Sequence, residues 1–89
     1  MYDYKTSKEL DRIFKKLSKK DKILYEQILK KIDEIVKCYD ISSYKNLRYN
    51  MKEYKRVHVG HFVLIFRYNE KQNTIYFVNF RHHDDIYKV

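Results

Sequence analysis

Tyr54-Lys55-Arg56-Val57-His58-Val59-Gly60-His61-Phe62-Val63-Leu64-Ile65-Phe66-Arg67-Tyr68 is the stretch that decides how this chain folds. From Tyr54 the side-chain period is two. Tyr54, Arg56 and His58 share one side of an extended segment, and Val57 and Val59 share the other. Gly60, the only glycine in the chain, permits a tight turn or a bulge. Phe62 to Tyr68 is almost continuously apolar, as expected of a central strand covered on both faces. An amphipathic strand turning into an internal one is the expected centre of the fold.

Downstream the pattern continues as a meander. Asn69 to Asn73 is a polar hairpin connection, and Thr74 to Phe80 supplies the next strand. Directly after it, Arg81-His82-His83-Asp84-Asp85-Ile86-Tyr87 gathers charge, histidine and an aromatic ring. Upstream the spacing is helical. Thr6-Ser7-Lys8-Glu9 reads as a capping box, with a hydroxyl capping the helix start and Glu9 reaching back. Leu10, Ile13, Phe14 and Leu17 follow at helical intervals. Ser18-Lys19-Lys20-Asp21 is a second start signal, beyond which Leu24, Ile28, Ile32, Ile35 and Tyr39 form a stripe widened by Leu29 and Val36. Two amphipathic helices joined by a tight turn around Ser18 to Asp21 follow, with their lysines on a solvated face. Tyr2 to Lys5 is expected as a short edge strand, and Asp40-Ile41-Ser42-Ser43 as the opening of a loop.

The expected fold is therefore α+β, with two N-terminal helices packed on an antiparallel sheet of three to four strands. Residues 1–89 make a single domain, because a chain this short cannot build a second core. Helices on one face of the sheet would leave the other, with Tyr54, Arg56 and His58, open for binding.

Composition narrows the function. The net charge of +8 comes from lysines and arginines spread along the whole chain, which favours a polyanionic partner through counterion release. Ten tyrosines offer flat faces for base stacking. Abundant lysine and tyrosine is also what an AT-rich genome would produce, so composition alone does not name the polyanion. No apolar run is long enough to cross a bilayer, and Met1-Tyr2-Asp3-Tyr4-Lys5 is unlike a secretory signal. Cys38 is the only cysteine, which excludes an internal disulfide and fits a reducing compartment; the cytoplasm is expected. Cys38, in an apolar helical setting without an activating partner, reads as structural.

Metal-free RNA cleavage needs a group to take the 2′-hydroxyl proton, a group to stabilise the phosphate, and a group to protonate the leaving 5′-oxygen. Histidine suits both proton transfers, and the planar fork of arginine suits the phosphate. Arg56 and His58 share one strand face, and Arg81, His82 and His83 end a neighbouring strand about 4.8 Å from the next, so a shallow groove could collect them. Tyr87 could stack on a base. Weighed against this, a surface histidine in a basic protein is most often a solvated bystander. If the segment stays extended, His82 and His83 point to opposite sides. A metal site at His82, His83, Asp84 and Asp85 lacks the separated, face-matched ligand pattern of recognised sites, so no metal and no cofactor is expected.

The residues from Tyr54 to Phe66 resemble the pattern of the RelE/ParE toxin superfamily, in which a strand of the type Y-R-hydrophobic-R-V-G precedes an aromatic residue, an arginine and an apolar strand. Leu47-Arg48 stands where that family often has a Leu-Arg pair, and His82-His83-Asp84-Asp85-Ile86-Tyr87 resembles its closing H-R-x-D-V-Y. With the two helices, the resemblance spans nearly the whole chain. It implies a RelE-like fold and catalytic positions at Arg56, His58, Arg81 and Tyr87, to which His83 is added, and Arg48, Lys52, Lys55 and Arg67 are expected to contact RNA. Two departures stand out. Val63 occupies the place of a widely shared strand arginine, for which Arg67, about 13 Å along the same strand face, is too distant a substitute. His83 replaces the arginine of the closing signature.

The resemblance implies the toxin of a type II toxin–antitoxin system, acting as a ribosome-dependent messenger RNA endonuclease that inhibits translation. It also implies an acidic antitoxin partner that wraps the basic surface in a hetero-oligomer. Two other functions remain open. One is a non-enzymatic toxin of the ParE type that inhibits DNA gyrase; the other is an inactive member that only binds RNA.

Overall fold

A computed structural model describes residues 1–48 and 51–85 of the chain. The described elements run β1 (Asp3–Thr6), α1 (Lys8–Lys20), α2 (Lys22–Val36), β2 (Lys55–Val59), β3 (Phe62–Asn69) and β4 (Thr74–His82). Short 3₁₀ turns lie at Ile41–Ser43 and His83–Asp85. The sheet order is β1-β4-β3-β2. The expected meander is present, with β2–β3 and β3–β4 antiparallel. β1 adds parallel to β4, so the four-stranded sheet is mixed. Its parallel sense follows from the connection: a helical hairpin and a second passage over the sheet separate β1 from β4, where an antiparallel neighbour needs only a tight turn.

Leu10 of α1 and Ile28, Ile32, Ile35 and Val36 of α2 pack on Val59, Leu64, Phe66, Ile75, Phe77 and Phe80 of the sheet. Phe66 and Phe77 are wholly buried at its centre. Each contributes roughly 1.5–3 kcal/mol relative to an exposed ring, which makes this layer the main source of stability. The stripe of α2 stops at Val36, where the helix ends. Tyr39, placed on that stripe by spacing alone, is fully exposed, and Leu29 is 42% exposed.

The helix starts are set by single side chains. Ser7 Oγ accepts from Leu10 N at 3.0 Å and donates to Val78 O at 2.7 Å, so one hydroxyl caps α1 and ties it to β4. The N-cap is therefore Ser7 and not Thr6, and the expected capping box does not form: Thr6 donates to Asp11, and Glu9 turns toward Arg81. Asp21 ends α1 through its N–H to Leu17 O and caps α2 by accepting from Leu24 N at 3.1 Å. Ser18 lies inside α1, its hydroxyl donating to Lys15 O, so the inter-helix turn is a single residue rather than four.

The sheet face away from the helices is not left bare. Residues 45–47 pair along the outer edge of β2, with Leu47 N donating to Tyr54 O and Arg56 N to Lys45 O. That blunts an otherwise open edge. Leu47, Met51 and Tyr54 then pack over Val63, Ile65 and Val78 as a second small core. Tyr54, expected on an open face, is half-buried in this cover. Gly60 turns β2 into β3 at φ 62°, a conformation that a Cβ disfavours. No described helix is long and apolar enough to cross a membrane.

Candidate functional site

Pairing register puts His58, Val63 and Arg81 in one transverse row across β2, β3 and β4, all facing away from the helices. Arg56, Ile65 and Asn79 form the adjacent row. His58 and Arg81 are thus two strand spacings apart, about 10 Å. That separation suits two groups flanking one nucleotide linkage. Val63 between them is fully buried. Its apolar identity fits the loop that covers it: an arginine there would have to lie beneath Leu47 and Tyr54 or displace them.

Arg56 and His58 are not merely on one face. Arg56 Nη1 lies 3.2 Å from His58 Nε2, while Arg56 Nε is buried without a hydrogen-bond partner among the described residues. Arg81 is half-exposed and faces Glu9 at 4.0 Å, a long contact between exposed groups that holds the arginine weakly. Three cationic or basic groups therefore converge on a shallow surface, with one carboxylate at its margin.

His83 lies off that row, two residues beyond Arg81 and past the end of β4. β4 ends at His82 and the chain curls, so His83 N donates to His61 O at 3.1 Å at the tip of the β2–β3 hairpin. The rings of His82 and His83 are 4.9 Å apart. The expectation that they diverge holds only for an extended segment, and the 3₁₀ turn removes that condition. Asp84 sits against both, and one ligand atom from each of His82, His83 and Asp84 lies within 4.8 Å of the others. His82 points to the helix side, edge-on to Phe62.

The remaining expected positions are dispersed. Arg48 and Lys52 are exposed on the covering loop. Lys55 is half-buried, and its ammonium donates to Tyr44 O and Asn46 Oδ1, which engages it in holding the loop. Arg67 is on the same face as Arg56 but further along β3, stacked over Tyr76 at 5.4 Å. Tyr87 lies outside the described residues. His61 and Asn79 join these surfaces without any sequence motif pointing to them, and Glu9, which the sequence offered only as a helix cap, joins Arg81; the register of β2–β3–β4 and the path of α1 bring them there.

Comparison with known proteins gives the family and agrees with the fold. Residues 2–87 match the family of the ParE toxin of the type II toxin–antitoxin system parDE. The RelE4 protein of Methanocaldococcus jannaschii is 46% identical over 99% of this chain and 93% of its own length. Among solved structures, a metal-bound toxin from Helicobacter pylori superposes with a TM-score of 0.76 at 22% identity, covering 98% of this chain and all of that one. The YoeB–YefM complex of Staphylococcus aureus gives 0.74 at 16% identity, over 93% of this chain and 98% of that one. The RelBE toxin–antitoxin complex of Escherichia coli gives 0.70 at 14% identity, over 92% and 96%. At these identities the solved structures speak for the fold, while the family match and the archaeal relative speak for descent. The chain belongs to the RelE/ParE superfamily and is a toxin of the type II toxin–antitoxin class.

Proposed function

We propose that this toxin is an endoribonuclease that cuts messenger RNA on the ribosome and so inhibits translation. The observation that carries the reading is the row His58–Val63–Arg81, with Arg56 held against His58. Arg56 moves from His58 Nε2 onto the phosphate, the freed Nε2 takes the 2′-hydroxyl proton, the resulting alkoxide attacks the adjacent phosphorus, and the 5′-oxygen leaves with a proton supplied by His83. The products are a 2′,3′-cyclic phosphate and a free 5′-hydroxyl. Arg56 and Arg81 stabilise the charge that accumulates on the phosphate oxygens. Tyr87 contributes a stacking or orienting ring, and Arg48, Lys52 and Arg67 add contacts along the RNA backbone.

The surface is shallow, so positioning has to come from elsewhere, and the ribosome supplies it in this reading. The RelE name of the archaeal relative supports the assignment. The Escherichia coli neighbour is a toxin–antitoxin complex, which supports an antitoxin as the partner in a hetero-oligomer, and the net charge of +8 favours an acidic one. Action on translating ribosomes assigns the protein to the cytoplasm.

Replacing His58 and Arg81 together with alanine tests the site. Toxicity and cleavage should fall by about 10²-fold or more, the scale of one lost general base, while the thermal midpoint stays within a few degrees. Unchanged toxicity in a folded double variant would sink this assignment. The matching family's ParE description favours a second reading, a non-enzymatic inhibitor of DNA gyrase. Loss of supercoiling activity without any RNA cleavage would select it.

A further inference from the structure

The end of β4 carries a constellation that the cleavage mechanism does not use as a unit. His82 closes the strand and the His83–Asp85 turn folds Asp84 back between the two imidazoles. Asp84 Oδ1 is 2.9 Å from His83 Nε2, and Asp84 Oδ2 is 3.4 Å from His82 Nδ1. The Asp84 N–H also points at His82 Nδ1, at a long 3.3 Å, and a metal on Nδ1 would take the place of that weak contact. A ring nitrogen and a carboxylate oxygen that face each other can share a proton or hold a metal ion between them. The His82 ring is braced in place, edge-on to Phe62 at 5.5 Å and stacked on His61 at 6.4 Å.

We propose that His82, His83 and Asp84 bind one divalent cation of the zinc class, through Nδ1, Nε2 and a carboxylate oxygen. Metal–ligand bonds of about 2.0–2.1 Å in tetrahedral geometry put ligand atoms roughly 3.3–3.4 Å apart. The three atoms already lie within 4.8 Å of one another, and side chains that are 38–64% exposed can close the remainder. Water completes the coordination. Two imidazoles and one carboxylate select zinc, nickel or copper over magnesium or calcium, which prefer all-oxygen sets.

The consequence follows from which histidine is captured. A metal on His83 Nε2 occupies the lone pair that proton transfer needs, so the bound cation inhibits cleavage. This consequence rests on the ribonuclease reading above; the binding site does not.

Calorimetric titration of zinc chloride into the metal-free full chain at neutral pH tests the site. The expected result is one equivalent with a dissociation constant on the order of micromolar, as for an exposed three-ligand set. His82→Ala and Asp84→Asn should each weaken it by about 10-fold or more, Cys38→Ser should leave it unchanged, and magnesium should give no isotherm. Absence of saturable zinc binding, or binding retained by both ligand variants, overturns the proposal. In the cleavage reaction zinc should then inhibit the native chain and spare His82→Ala. If the metal-free chain does not cleave RNA, the ribonuclease reading fails while the isotherm still decides the metal site.

Discussion

Arg56 reaches along β2 to His58, its Nη1 standing 3.2 Å from the imidazole Nε2. A guanidinium can only donate, so Nε2 is the acceptor and the ring proton belongs on Nδ1. The strand pleat makes the pair, since residues two apart share a face. The same guanidinium is placed awkwardly at its other side, where Nε is buried with no partner among the described residues. A position that costs stability while orienting a histidine is one where function outweighs fold.

Arg56→Met should separate those two effects. Methionine keeps the apolar stem and removes a buried unpaired N–H that costs about 1–3 kcal/mol. The thermal midpoint should stay level or rise by a few degrees while RNA cleavage falls. A midpoint many degrees lower, followed by circular dichroism, would mean that the guanidinium is structural.

Leu47→Ala tests whether the loop cover stabilises the domain. Leu47 is 2% exposed over Val63 and Ile65, and truncating such a side chain costs about 2–3 kcal/mol at the low end of core deletions. In a domain of this size that lowers the thermal midpoint by roughly 8–24 °C. A shift of only a degree or two would show that the covering loop is dispensable.

Asp21 and Ser18 should behave oppositely, although both resemble helix starts. Asp21→Ala removes the cap on Leu24 N and should cost about 1 kcal/mol, whereas Asp21→Asn retains an acceptor and should cost little. Ser18→Ala, inside α1, should be neutral within about 0.5 kcal/mol. Urea midpoints of the three variants decide between Asp21 and Ser18 as the boundary.

Cys38 should be a slow nucleophile. Burial, and secondarily the Asp40 carboxylate, pushes its thiol pKa up from the ordinary value, which lowers the thiolate fraction at neutral pH. Alkylation by iodoacetamide should be slower in the folded chain than in urea, and faster in Asp40→Asn. Equal rates folded and unfolded would contradict this.

Much of the fold was legible because its signals are local. The alternation at Arg56–Val59, the apolar run from Phe62 and the stripe Ile28–Ile32–Ile35 each report burial within a few residues, and all took their expected places. What escaped the sequence depends on tertiary path. The parallel pairing of Asp3–Thr6 with β4, the loop that covers Tyr54, and the solvation of Tyr39 beyond the end of α2 have no periodic signature. The site divides along the same line. Arg56 and His58 were readable as a pair because they are two apart on one strand, and Arg81 joins them only through register. His82 and His83 were expected to diverge because adjacent strand residues do, yet the strand ends between them.

Mapping of messenger RNA 5′ ends in a reconstituted translation reaction, with and without ribosomes, tests the central claim most directly. The account predicts new 5′-hydroxyl ends that appear only with ribosomes and vanish in the His58→Ala, Arg81→Ala double variant. An intact message in both reactions would contradict it and turn attention to gyrase.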